Sequence, residues 1–239
     1  AFVLRRFVEF GAPEDILYLA KPHIGTDKLQ AMLPRMRRYL QELGCDLRFG
    51  QRLSDLVIEK GRLAGLLVNT EEGPYTLPAE KVILAPGNSA RDTFEMLARR
   101  GVRLSPKNFS VGVRIEHLQS AIDLASYGQA ATLGTLPPSD YKLAVHLEEG
   151  HSVYTFCVCP GGQVVAAASE EGRVVTNGMS YYARDGVNCN GGLLVSVTPE
   201  DFGPGPLDGI AFQRRLEEAA FRHGGGAFRA PAQLVGDFL

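Results

Sequence analysis

Lys81-Val82-Ile83-Leu84-Ala85-Pro86-Gly87-Asn88-Ser89-Ala90-Arg91-Asp92-Thr93 is the stretch on which the fold turns. It reads as a buried strand that ends in a glycine turn and feeds a helix. Val82, Ile83 and Leu84, then Ala85, put apolar side chains on both faces, as in a strand inside a parallel sheet. Pro86-Gly87 breaks the strand, because proline has no N–H and glycine accepts backbone angles other residues avoid. Ligands of open α/β sheets sit just outside the carboxyl ends of such strands. The turn therefore marks a place where backbone can meet a ligand, although no G-x-G-x-x-G precedes it.

Working outward, Thr26 or Asp27 can cap a helix running to about Leu43. Leu29, Leu33, Met36, Leu40 and Leu43 keep helical spacing, and Gly44 sits at the C-cap. Pro34 inside this span predicts a kink or a later start. From Cys45 the period becomes two. Cys45–Phe49, Leu53–Glu59, Arg62–Asn69 and Tyr75–Leu77 read as strands, the last three as an antiparallel meander. A helix follows from about Arg91 to Arg100. The order fits a parallel sheet with a β-meander inserted in one crossover.

Beyond residue 104 the character changes. Strands are expected at Phe109–Glu116, Tyr141–Leu147, Val153–Cys159, Gln163–Ser169 and Val174–Asn177. Gly191-Gly192 reads as a turn, with the next strand at Leu193–Thr198. Helices are expected at Leu118–Tyr127 and Asp208–His223, the second ended by Gly224-Gly225-Gly226. The tail closes on Phe238-Leu239.

The 239 residues suffice for one large domain or two small ones. With 45% hydrophobic residues, 22% charged residues and a net charge of −2, the composition is ordinary for a globular protein. The near-neutral balance gives no reason to expect a nucleic-acid or membrane partner. No apolar run approaches the about 20 residues that span a bilayer. Ala1-Phe2-Val3-Leu4-Arg5-Arg6 has no signal-peptide pattern and begins in mid-pattern, as an internal piece would. Four scattered cysteines do not make a disulfide framework, and a cytoplasmic location is expected.

Three segments carry candidate chemistry. Gly87-Asn88-Ser89-Ala90 offers backbone N–H groups at a helix start, suiting a phosphate, a ribityl chain or a flavin edge; an ordinary βα loop is the alternative. Cys157-Val158-Cys159-Pro160-Gly161-Gly162 puts two thiols on one face of a strand. Their Cα atoms would be about 6.6 Å apart at strand rise, near the upper limit for a disulfide. A redox pair, one reactive thiolate or small core residues all remain open. Asn177–Gly186 is a polar, aromatic loop able to bind a substrate or partner; a solvated connection is the alternative. Arg114 and Glu116 alternate with Val113 and Ile115 and line the opposite sheet face. No hydrolase, zincin, Walker or kinase motif is present.

Five segments together resemble the uncharacterised FAD-dependent dehydrogenases of bacteria, a family of NAD(P)/FAD-dependent oxidoreductases. They are Ala20–Asp27, Gly87–Thr93, Phe156–Gly162, Asn177–Tyr182 and Val197–Phe202. The resemblance implies an internal fragment of a two-domain flavoprotein in which a Rossmann-type FAD domain is interrupted by a substrate domain. The implied fold is α/β, a partial FAD-binding sheet with its β-meander plus a mixed α+β substrate domain. Residues 1–104 would belong to the FAD-binding part, 105–228 to the substrate domain, and 229–239 would return towards the first.

Ala85-Pro86-Gly87 matches the family's Ala-Thr-Gly or Ala-Ile-Gly turn near the flavin, with Pro86 removing one N–H donor. The implied cofactor contacts are Ala85, Gly87, Asn88, Arg91 and, on the adenine side, Leu53. Cys157, Cys159 and Arg114 are the candidate catalytic residues: the thiols to relay electrons, the guanidinium to hold an anionic substrate. The implied cofactor is FAD, with NAD(P)H as a candidate electron donor and a small molecule as substrate. The alternative is a non-enzymatic ligand- or partner-binding module that uses the 177–186 loop.

Overall fold

The structure is a computed structural model that describes residues Phe2–Phe238; Ala1, and Leu239 of the closing apolar pair, lie outside the described residues. In chain order its elements begin with α1 (Phe2–Glu9), α2 (Thr26–Glu42), β1 (Arg52–Glu59), β2 (Arg62–Thr70), β3 (Gly73–Pro78) and α3 (Arg91–Arg99). They continue with β4 (Phe109–Leu118), α4 (Gln119–Tyr127), β5 (Ala144–His146), β6 (Ser152–Cys159) and β7 (Gln163–Ala167). The last are β8 (Val175–Met179), β9 (Asn188–Val197), α5 (Pro199–Phe202), α6 (Asp208–His223) and α7 (Val235–Phe238).

The chain forms two compact units that interleave along the sequence. The first takes the chain up to Cys45, then Phe109–Ala167 and Val175–Val197. The second takes Asp46–Asn108, Ala168–Val174 and the chain from Thr198 onward. The expected division between residues 104 and 105 falls inside the second unit, as does α6.

The first unit is built on a four-stranded antiparallel sheet, in the order β4-β9-β6-β5, and a two-stranded antiparallel pair, β7-β8. Its helical part has a core of its own. Ile16 and Met32 are 1% and 3% exposed beside Ala12, with Leu4, Phe7, Leu29 and Met36 packed around them. Burial at that level stabilises by about 1.5–3 kcal/mol per large apolar side chain. The helix expected from residue 26 is present and runs unbroken through Pro34, and its N-cap is Gly25 with no side-chain cap. Asp27 does not cap; its carboxylate accepts from the Tyr182 N–H at 2.9 Å.

Gly191-Gly192, expected as a turn, lies inside β9, the second strand of the sheet. Small residues are needed there because neighbours crowd both positions. A Cβ on Gly191 would lie 3.1 Å from Tyr141 Oη and from Val158 Cγ2, and one on Gly192 3.1 Å from the Phe156 carbonyl oxygen. Glycine in a strand marks close approach as well as a break.

In the second unit the meander β1-β2-β3 forms as expected, antiparallel throughout, with Leu66 opposite both Leu56 and Leu77. The strands expected at 45–49 and 81–85 do not form. Every described strand pair is antiparallel, so the parallel Rossmann-type sheet is not seen among the described residues. A strand exists only through its ladder, and residues 81–88 make no backbone–backbone hydrogen bond among the described residues. Ile83 is consequently 96% exposed. The fold is a mixed α/β one with several antiparallel sheets.

Candidate functional site

In the second unit, the chain before α3 and the start of β1 line a shallow, open cleft of about 560 Å³. Leu53 and the run Ile83–Pro86 supply its apolar wall, with Ala90 and Thr93 at the helix start. The structure thus brings together Leu53 and Ala85, two of the expected cofactor residues. Gly87 and Asn88 follow directly on the wall without lining the cleft; Gly87 has φ 80°, and a Cβ there would meet open space. Arg52 on the rim is bound to Asp92, whose carboxyl that guanidinium holds below its usual range.

Arg91, the fifth expected contact, is turned away into an ion network. It is 4% exposed. Its Nη1 donates to Glu170 at 2.7 Å and to Glu217 at 2.8 Å, and its Nη2 donates to Glu217 at 2.5 Å and to Gln213 at 3.1 Å. Arg214 joins Glu170 to Glu95. These charges hold the Glu170 carboxyl at about 2, with the Arg214 hydrogen bonds as the main cause.

In the first unit, the Cys157-Val158-Cys159 segment sits in a β-bulge. Phe156 pairs with Gly192 and Cys159 with Asn190, so Cys157 and Val158 both face the single residue Gly191. Cys157 takes φ 48°, a region unusual for a residue with a Cβ. The expectation that both thiols share a face is therefore corrected. The extra residue rotates the strand, leaving Cys157 exposed while Cys159 is buried.

Arg114 of β4 closes the group. Its Nε donates to Asn190 Oδ1 at 2.9 Å, and its Nη2 to the Cys157 carbonyl at 2.7 Å and to Cys159 Sγ at 3.6 Å. The Cys159 thiol donates to the Cys157 carbonyl at 3.4 Å. Burial pushes the Cys159 thiol up against the opposing pull of Arg114, and burial pushes Cys189 next door up to about 11. Asn190 is fully buried, with its Nδ2 unpartnered among the described residues. The expected catalytic trio of Cys157, Cys159 and Arg114 is thus gathered in one place, with the guanidinium tied into the strand backbone.

Three residues of this group were not among the expected site residues. Asn190 lies in a stretch that reads as a turn. Gly178 of β8 leaves room for Arg114, since a Cβ there would collide with the guanidinium. Gln119 steadies the turn after the bulge: its Oε1 accepts from the Gly161 N–H at 2.9 Å, and its Nε2 donates to Asp123 and to the Ser139 carbonyl. The 177–186 loop is partly β8. Its aromatic end is pinned within the unit, with the Tyr182 hydroxyl on Asp15 and the Tyr181 carbonyl on His23.

Such a chain, with antiparallel sheets, an apolar cleft and a cysteine pair against an arginine, belongs to the mixed α/β class. Its family is more specific. The model of the family described as FAD-dependent protein, C-terminal domain-like, matches residues 108–239, more than half of the chain, and the chain belongs to that family. It is also similar to an uncharacterized protein of Clostridium beijerinckii, 46% identical over 241 residues. That similarity covers 100% of this chain and 44% of the relative, so the chain spans less than half of that protein's length. Among the described residues no helix is long and apolar enough to cross a membrane, and no group of three His, Cys, Asp or Glu side chains is placed to hold a metal ion.

Proposed function

We propose that the chain is part of a flavin-dependent oxidoreductase acting on a small molecule, and that the cleft between Leu53 and Ile83–Pro86 flanks its FAD. The family match carries the flavin part of this reading, with no support for NAD(P)H; the cleft lies outside residues 108–239 and is assigned from its own lining. The cleft fits one portion of the cofactor and not another. Leu53, Ile83, Leu84, Ala85 and Pro86 make a wall suited to a flat apolar ring, and the unpaired backbone beside it has donors and acceptors to offer. A diphosphate is poorly served. Pro86 has no N–H, Arg52 is already engaged by Asp92, and Asp92 brings negative charge to the rim.

Bound FAD would supply hydride and electron chemistry at its isoalloxazine ring. The chain's own residues would flank the ring on one side, with the backbone of Gly87 and Asn88, just past the wall, free to hydrogen-bond to it. On this reading the diphosphate is bound elsewhere in the longer protein, and the chain alone holds FAD weakly or not at all.

Two spectra test it. The purified full-length protein should be yellow, with flavin absorbance in the visible, while the 239-residue chain titrated with FAD should leave the free-flavin spectrum unchanged. A full-length protein that stays colourless after incubation with FAD would overturn the proposal. Tight FAD binding by the chain alone would overturn the division of labour between ring and diphosphate.

A further inference from the structure

We propose that Cys157 and Cys159 are a redox dithiol, closing to a disulfide across the β6 bulge on reaction with a low-molecular-weight disulfide. A regular strand would hold two such residues near the limit of disulfide reach. The bulge and the left-handed Cys157 backbone replace that regular geometry, and Cys159 Sγ turns back towards residue 157, lying 3.4 Å from its carbonyl oxygen. Their exposures differ as the chemistry requires: Cys157 is open to solvent and Cys159 is 8% exposed behind it. Exposed thiols meet the oxidant and buried neighbours resolve it.

The reaction balances as two exchanges. The Cys157 thiolate attacks one sulfur of the incoming disulfide, forming a mixed disulfide. The reagent's S–S bond breaks, and the first small thiolate leaves, taking up the proton Cys157 gave. The Cys159 thiolate then attacks the Cys157 sulfur and the mixed S–S bond breaks. The second small thiol departs with the proton from Cys159. Two electrons pass from the pair to the reagent, which leaves as two thiols.

Arg114 is the positioning residue. Its Nη2 holds the Cys157 carbonyl at 2.7 Å, fixing the bulge, and lies 3.6 Å from Cys159 Sγ, where it favours the thiolate in the second exchange. The strained backbone persists because Arg114 is itself fixed, on one side by Asn190 and on the other by the space Gly178 leaves. None of this depends on a bound flavin.

The test uses the full chain and glutathione disulfide, read by non-reducing peptide mass mapping. The wild type should show a Cys157–Cys159 cross-link that dithiothreitol reverses. Cys159→Ser should instead keep glutathione on Cys157 as the main product. A wild type that retains the adduct on Cys157, pairs Cys159 with Cys189, or does not react at Cys157 would overturn the proposal, whether or not the variant folds. Arg114→Ala should raise the pH midpoint of the closing step by about one unit, with Arg114→Lys nearer to wild type. An unchanged midpoint in Arg114→Ala would remove Arg114 from the mechanism.

Discussion

Glu217 is a carboxylate only 7% exposed, and Arg91 meets it with two nitrogens. Removing one partner strands the other. Glu217→Ala should cost about 3–5 kcal/mol in urea unfolding, and a loss below about 1 kcal/mol would show that solvent already compensates Arg91. Glu170 gives the pair a pH signature. Its folded carboxyl titrates at about 2 against an ordinary 4.5, so the unfolded chain binds the proton more readily. The stability it contributes is complete above about pH 4.5 and is lost as pH falls towards 2. Glu170→Gln should flatten the acid limb of a stability-against-pH curve in that window; an identical limb would contradict the assignment. None of this network was legible in the sequence. Arg91 and Glu217 are 126 positions apart, and at an expected helix start the resemblance implies Arg91 as a cofactor contact.

Elements whose pattern is local were legible. The meander, α2 and α6 come from periodicity and end signals alone, and α6 matches its expected bounds of Asp208–His223. Elements that depend on a neighbour were not. Residues 81–85 have the composition of an internal strand and no partner among the described residues. β9 has a partner on each side, and so tolerates the glycines that punctuate other segments. The thiol site was half legible: the cysteines and Arg114 stand out, whereas the bulge that separates the thiols follows from pairing between β6 and β9.

Three substitutions test these elements. Gly192→Val should destabilise by about 1–3 kcal/mol, because its Cβ meets the Phe156 carbonyl. The short helix α5 has a capping box, Thr198 Oγ1 accepting from Glu200 N–H and Asp201 from Thr198 N–H, so Thr198→Ala should cost about 1 kcal/mol. Ile83→Lys should change the stability of this chain by less than about 0.5 kcal/mol, since the side chain is 96% exposed. A loss of several kcal/mol on that change would show that residues 81–85 pack against a sheet.

At the scale of the whole molecule, the threading of the two units governs how the protein is made. The chain passes from one unit to the other at Cys45/Asp46, Asn108/Phe109, Ala167/Ala168, Val174/Val175 and Val197/Thr198. During synthesis most multidomain chains complete one domain before the next emerges. Here β4 must wait for β9, its partner along the whole Phe109–Leu118 edge, and Arg91 must wait for Glu217. Neither unit can be finished on the ribosome until its late element, β9 for the first and α6 for the second, has left it. A nascent chain halted before residue 188 should therefore be digested by protease in both units, while one released after residue 223 should resist in both.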